Sequence, residues 1–479
     1  MNCSLSTGVV PSDWKLARVT PIFKGKGCKT DPANFRPISV LSAISMILER
    51  EVQVQVLTYL QSHDMISPDQ FAFLKNHSTI GCLHRVFDDW YNAINEGEYI
   101  MACFLDIQKC FDSIDHDILI TKLSRYGVSG DELSWFSNYL TDRSQVVTCN
   151  GQTSQPRALH TGVPQGSALG PLLFLIFIND LPQNVRNCVT NLFADDVALY
   201  ISGKSLSETG DTFQCAINDA AQWYHDNRLT INIPKSSVML LGSEARLRSL
   251  PCESCDLNIV LDNTVIEQVQ HAPYLGVTID ARLKWDSHIQ NLCKKISGKL
   301  AVLSRLRNIL NKNVLSKLYL SCIQPCLDYA ISVWGSCSQQ NKNIITRLQH
   351  RAARIVTGNF DFVSARGSDI LKSLRWQTLD QREKYFLSTL MYRCISGQAP
   401  ARLTDELVMT ADTHDRRTRT ASRNVLYVPQ PNVESYRRSL KYRGAVTWNS
   451  LPSDLKEAKD IYQFKYYYKQ KFFKGSTST

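Results

Sequence analysis

The spacing of apolar and polar positions changes along this chain and divides it into a mixed first half and a largely helical second half. Trp14 to Phe23 alternates weakly and runs into Pro21-Ile22-Phe23-Lys24-Gly25-Lys26-Gly27, the pattern of a strand entering a basic, glycine-containing turn. From Val40 to Tyr59 the apolar residues take helical spacing, with no internal Pro or Gly. Met101 to Ile107 predicts a strand around Asp106, and Asp115 to Tyr126 predicts a helix closed by Gly127. Thr161 to Gly170 reads as a turn-rich loop leading into a buried helix over Pro171 to Ile178. Asn191 to Ile201 predicts two short strands around Asp195 and Asp196. Strands and helices alternating in this way predict an α+β fold.

Beyond that the pattern shifts. Leu241 to Glu253 turns polar and loop-like, and Ile259 to Ile279 forms a second strand region containing Tyr274-Leu275-Gly276. After Trp285, Ile289, Leu292, Ile296, Leu300, Leu303 and Leu306 keep helical spacing, with Lys294, Lys295, Lys299, Arg305 and Arg307 between them. Further helices are predicted over Leu315 to Val333 and Ile344 to Val356.

Composition adds limits. Hydrophobic residues make up 43% and charged residues 20%, an ordinary globular balance, and the formal net charge of +10 suits a polyanionic partner without requiring one. The longest apolar run, Pro171 to Ile178, is too short for a bilayer span of about twenty residues. Met1 to Val10 carries neither a basic start nor a sustained apolar stretch, so an intracellular protein, nuclear or cytoplasmic, is expected, with no membrane partner. Fifteen cysteines are scattered along the chain, and only Cys252-Glu253-Ser254-Cys255 has metal-ligand spacing. With no second half-site, free thiols rather than zinc are expected.

The paired aspartates raise a chemical question. Transfer of a nucleotidyl group asks for two divalent ions, one activating a hydroxyl and one holding a triphosphate, and hard cations take carboxylate oxygens. Asp106 lies in Cys103-Phe104-Leu105-Asp106-Ile107, and Asp195 and Asp196 lie in Leu192-Phe193-Ala194-Asp195-Asp196-Val197. Carboxylates in such apolar strands are costly unless a cation accompanies them. Alone, Ala-Asp-Asp reads as an exposed hairpin turn.

Order and company decide between these readings. Thr161-Gly162-Val163-Pro164-Gln165-Gly166-Ser167, then Gly170-Pro171-Leu172-Leu173-Phe174, then Phe193-Ala194-Asp195-Asp196, resemble the reverse transcriptases of non-LTR retrotransposons, the jockey and LINE-like group. Phe104-Leu105-Asp106-Ile107 with Phe111-Asp112 resembles that family's motif A. Pro21-Ile22-Phe23-Lys24-Gly25 and Asn34-Phe35-Arg36-Pro37-Ile38-Ser39 resemble its fingers motifs. Asn227-Arg228-Leu229 with Asn232 and Lys235-Ser236 resembles motif D, and Tyr274-Leu275-Gly276 resembles motif E. The motifs keep the family's order from Trp14 to about Asp280, and the later helical region, with His350-Arg351-Ala352-Ala353-Arg354, is similar to the family's C-terminal part.

The resemblance implies a right-hand polymerase: fingers and palm over 1–250, motif E and a helical thumb or connection over 251–360, and a C-terminal region of unassigned role over 361–479. It implies an RNA-directed DNA polymerase of a mobile element that adds dNTPs to a DNA primer on an RNA template. Asp106, Asp195 and Asp196, with the carbonyl of Ile107, would bind Mg2+, for which Mn2+ would substitute. Phe111 would pack under the sugar and favour deoxynucleotides. Gln165 and Gly166 would contact the nucleotide, Arg36 and Lys24 would hold the triphosphate, and Lys235 would be a general acid for pyrophosphate. Against these roles stand a core phenylalanine at Phe111 and solvated surface cations at Lys24, Arg36 and Lys235. Basic helices after Trp285 would track template and primer, and Arg416-Arg417-Thr418-Arg419 and Phe464 to Phe473 are further candidates for nucleic-acid contact, against which the plainer reading of a basic amphipathic helix packed on its own domain takes precedence. The motifs begin almost at Met1, where family members carry an endonuclease, so one is expected to act from upstream or in trans. A truncated, catalytically idle nucleic-acid-binding relic or domesticated factor is the alternative.

Overall fold

The computed structural model describes residues 1–250, 256–363, 365–411 and 424–473. The Cys252–Cys255 pair, the Arg416–Arg419 run and the polar tail after Gly475 lie outside the described residues.

In chain order the elements used below are β1 (Leu16–Phe23), β2 (Phe35–Val40), α1 (Ala43–Ser62), α2 (Thr79–Asn95), β3 (Tyr99–Leu105), α3 (His116–Arg125), β4 (Arg143–Cys149), α4 (Gly170–Ile178), β5 (Val189–Phe193), β6 (Asp196–Gly203), α5 (Leu206–Asp226) and β7 (Ser237–Leu241). They are followed by β8 (Glu267–Gln268), β9 (His271–Tyr274), β10 (Val277–Asp280), α6 (Asp286–Leu306), α7 (Lys312–Leu318), α8 (Gln339–Thr357), α9 (Leu379–Ile395), α10 (Leu440–Asn449) and α11 (Ile461–Phe472).

The central sheet runs in the order β8-β7-β3-β6-β5. Its middle strand β3 is buried at every position and pairs antiparallel with β6 and β7. Alternate residues of β3 serve different cores: Tyr99, Met101, Cys103 and Leu105 pack with α4 and α5, whereas Ile100, Ala102 and Phe104 pack with α2 and α6. The same division splits Val197 and Leu199 from Ala198 and Tyr200 on β6. Two covered faces explain why β3 reads as an unbroken apolar run. A second sheet joins β2, β1 and β4, with β1 antiparallel to β2 and parallel to β4.

Most predicted elements are present, with boundaries shifted by up to three residues, except that the helix predicted from Ile344 begins five residues earlier at Gln339. The predicted helix over Asp115 to Tyr126 is α3, and the Asp115 side chain caps it by accepting from the backbone N–H of Asp117 and Ile118. Two predictions need correction, and one gains detail. The loop-like stretch after Leu241 contains a short helix, Glu244–Arg248, capped by the Ser243 hydroxyl. The strand region Ile259 to Ile279 is a series of strands two to four residues long. The helix expected over Leu315 to Val333 is broken: α7 ends at Leu318, a π-turn spans Tyr319–Ile323, a further turn spans Gln324–Asp328, and Ile331–Trp334 begins after a left-handed Ala330. Pro325, which lacks an N–H, prevents one hydrogen-bonded register from running through.

The C-terminal helices α9, α10 and α11 share a separate apolar core around Met391, Tyr392, Trp448, Phe464 and Tyr468. A polar junction fastens this unit to α2. Arg85 lies 2.8 Å from Asp89 and 2.6 Å from Glu406, Lys441 lies 3.0 Å from Glu406, and the Leu440 N–H donates to Asp88 at 2.6 Å. Among the described residues no helix is long and apolar enough to cross a membrane.

Burial pushes the Asp88 carboxyl up to about 7. The folded chain therefore holds this proton more tightly than the unfolded chain. Its stabilising contribution is complete below the ordinary carboxylate range and is lost as pH rises through 7. Asp88→Asn, which keeps an acceptor for the Leu440 N–H, should raise the thermal midpoint above pH 7 by roughly 2–4 °C. It should also flatten the fall between pH 5 and 8. Parallel melting curves of the two proteins across that range would count against this.

Candidate active site

The end of β3 places Asp106 at the mouth of a cavity of 1270 Å³. Continuing the β3–β6 register beyond Leu105 and Val197 brings Asp106 beside Asp196, the first residue of β6. Asp195 lies in the two-residue turn between β5 and β6, whose other residue, Ala194, takes a left-handed conformation at φ 55°. On its other side Asp106 meets the segment 230–236. Its carbonyl accepts from the Asn232 N–H at 2.7 Å, its N–H donates to the Ser236 hydroxyl at 3.2 Å, and its Oδ2 accepts from the Asn232 amide at 2.9 Å.

Asp106, Ile107, Phe111, Gln165, Asp195, Lys235, Lys24 and Arg36 all line this cavity. Residues more than two hundred positions apart in the chain thus share one space. Asp196 and Gly166 flank the cavity without lining it. Lys235 Nζ lies 3.8 Å from Asp106 Oδ2. Lys24 Nζ donates to the Ala33 carbonyl at 2.9 Å, and Arg36 is exposed on β2. Phe111 is half-buried, its ring 5.0 Å from that of Phe174 on α4, and it lines the cavity.

The loop carrying Gln165 is held from both sides. Gln165 Nε2 donates to Asp112 Oδ1 at 2.9 Å, and its carbonyl accepts from the Ser39 N–H on β2 at 2.7 Å. Gly162 lies so close to Asp112 that a Cβ would stand 2.7 Å from its backbone, and at Gly166 (φ 123°) a Cβ would meet the Ser39 carbonyl at 2.6 Å. Sequence reasoning left Asp112 and Asn232 without roles. Both were quoted within motifs, but their partners lie 53 and 126 residues away, so no local spacing reveals them.

Carboxylates and cations share the cavity wall. Partial burial, and then the neighbouring carboxylates of Asp195 and Asp106, push the Asp196 carboxyl up to about 6. Burial also raises Asp112, against the hydrogen bond from Gln165 and the nearby cations Lys109 and Lys24. Lys24, Lys29, Arg36, Lys109 and Lys235 line the rest of the wall. Carboxylates and cations on one wall suit a ligand that carries both divalent cations and phosphates. Among the described residues no three His, Cys, Asp or Glu side chains converge tightly enough to enclose a metal ion as they stand. The Asp106 carboxylate is instead held by the Asn232 amide.

Residues 25–279 match the family described as reverse transcriptase (RNA-dependent DNA polymerase). The probable RNA-directed DNA polymerase from transposon BS of Drosophila melanogaster is 30% identical over 80% of this chain and 42% of its own length. The RNA-directed DNA polymerase from mobile element jockey of the same species is 30% identical over 74% of this chain and 39% of its own length. The chain thus spans about two fifths of the length of these curated relatives. Among solved structures, telomerase from Candida tropicalis in complex with a TWJ fragment of telomeric RNA aligns with a TM-score of 0.40 and 14% identity, covering 76% of this chain and 65% of that one.

Gly166→Ala should destabilise the protein by about 2–4 kcal/mol, because the new Cβ meets a backbone carbonyl at a conformation that disfavours side chains. Gly25→Ala, with positive φ but open space around it, should cost only about 1 kcal/mol. Denaturant midpoints of the two variants compare them, and equal losses would show that the Gly166–Ser39 approach carries no special strain.

Proposed function

The chain belongs to the reverse transcriptase (RNA-dependent DNA polymerase) family, and on that premise we propose that it extends a DNA primer on an RNA template with dNTPs. One observation carries the reading: Asp106 and Asp195 open on the same cavity as Phe111, Gln165 and the cations Lys24, Arg36 and Lys235. Asp106 and Asp195, with Asp196 beside them and the Ile107 carbonyl, would hold Mg2+ or Mn2+. The donor set fits, since oxygen ligands on a strand end and a tight turn suit a hard cation. Bound there, divalent cations supply charge neutralisation for the phosphates and activation of the primer hydroxyl.

The protein's own groups would do the rest. Arg36 and Lys24 bind triphosphate oxygens, Arg36 through its forked donors. Phe111, backed by Phe174, presents a rigid ring to the sugar and excludes a 2′-hydroxyl. Gln165, fixed by Asp112 and Ser39, meets the nucleotide from the opposite side, with Gly166 allowing close backbone approach. Lys235 stands where a proton could pass to departing pyrophosphate. Within this reading, residues 1–250 serve as fingers and palm, 251–360 as motif E and thumb, and 361–479 as a C-terminal region fastened behind the palm. An endonuclease upstream or in trans would supply the primer end, in the nucleus or the cytoplasm.

Primer extension on poly(rA)/oligo(dT) with dTTP and Mg2+ tests the proposal. The protein should incorporate dTMP, and Asp195→Ala should lower the rate by on the order of 10³-fold or more. Phe111→Ala should raise ribonucleotide use relative to deoxynucleotide by about tenfold. No incorporation at any Mg2+ or Mn2+ concentration would favour a catalytically idle nucleic-acid-binding protein. A preference for ribonucleotides that Phe111→Ala leaves unchanged would favour an RNA-copying RNA polymerase.

A further inference from the structure

The last described helix, α11, shows two faces of different chemistry. Its inner face is fixed: Phe464 stacks on Tyr392 with ring centroids 4.6 Å apart, and Tyr468 meets Tyr385 at 5.4 Å. Its outer face carries Tyr462, which is 80% exposed, and Tyr466, which is 59% exposed, one turn apart. Tyr467 lies beside Tyr466 at 5.9 Å and is also exposed. Folding gives no return for tyrosines placed outward on a helix whose inner face already packs. Large exposed aromatic surface of this kind marks a contact site.

The surrounding charge indicates the partner. Lys465 and Lys469 lie on the same helix, and Arg393 approaches from α9. The Lys465 ammonium is lowered first by burial and then by repulsion from Arg393 and Lys469, so both of these cations act on it. None of the three has an acidic partner within 4 Å among the described residues, whereas Lys471, on the other flank, pairs with Asp454 at 3.0 Å. Aromatic rings spaced about 6 Å apart along a helix, edged by unpaired cations, fit successive bases and the phosphates between them. An acidic peptide would satisfy the cations but not the exposed rings, and a duplex hides its base faces.

We propose that the outer face of α11, formed by Tyr462 and Tyr466 and edged by Lys469, Lys465 and Arg393, is a docking surface for single-stranded nucleic acid. It is separate from the carboxylate-lined cavity, since α11 belongs to the C-terminal core. Stacking on tyrosine does not read the sugar, so single-stranded RNA and DNA should both bind.

The test uses the whole chain and short oligonucleotides of mixed sequence, one RNA and one DNA, carrying photoreactive bases. Excess pre-annealed primer–template duplex occupies other sites. Crosslinks should map to residues 459–473. The double substitution Tyr462→Ala/Tyr466→Ala should abolish them and weaken single-strand binding by about tenfold. Lys465→Glu/Lys469→Glu should lower the slope of log affinity against log salt by roughly 1.4. Because the substituted tyrosines are exposed, the thermal midpoint should hold, which separates lost binding from lost folding. Absence of crosslinks in this helix, with affinity and salt slope unchanged in both variants, overturns the proposal. So does retention of the surface by vesicles or a protein partner while oligonucleotides bind unaffected. Neither result depends on nucleotide incorporation, so the polymerase reading stands or falls separately.

Discussion

Burial of β3 on both faces is the constraint on which the rest of this structure depends. A strand covered on two sides must be apolar throughout, must find hydrogen-bond partners on both edges, and cannot shift register without exchanging its two sets of side chains. Antiparallel pairing with β6 and β7 meets these demands. Asp106, one residue past the end of β3, is consequently placed with little freedom. The neighbours of β3 bring the Asp195–Asp196 turn to one side of it and Asn232 to the other.

The second constraint is contact between backbones. Gly162 against Asp112, and Gly166 against Ser39, tie the Gln165 loop to both the strand-end segment and β2. These approaches leave no room for a side chain. They fix the distance between the carboxylates of the cavity and the part of its wall that carries Lys24 and Arg36. Three stretches far apart in sequence thus form one rigid frame, and the flexible side chains on it need reorganise only locally.

Much of this was legible in the sequence because its signals are local. The apolar run of β3, the hairpin around Asp195, the capped helix after Asp115 and the loop before Pro171 each announce themselves within about ten residues. The break within Leu315 to Val333 was missed because apolar spacing persists through it, although Pro325 signals that one helical register cannot continue. The short helix at Glu244 was missed because five residues give too little periodicity against a polar background. The bonds from Asn232 to Asp106 and from Gln165 to Asp112 were out of reach for another reason. They depend on the tertiary approach of distant segments, which no spacing rule encodes.

If Asp106 and Asp195 hold a divalent cation together, as proposed above, they act as one site and not as two separate acids. Titration of Mn2+ into the full chain, followed by the paramagnetic resonance of the free ion, tests it directly. A shared site should give saturable binding in the wild type that is weakened at least tenfold by Asp106→Asn and equally by Asp195→Asn, with no further loss in the double variant. Binding unaffected by either substitution, or losses that simply add, would contradict it.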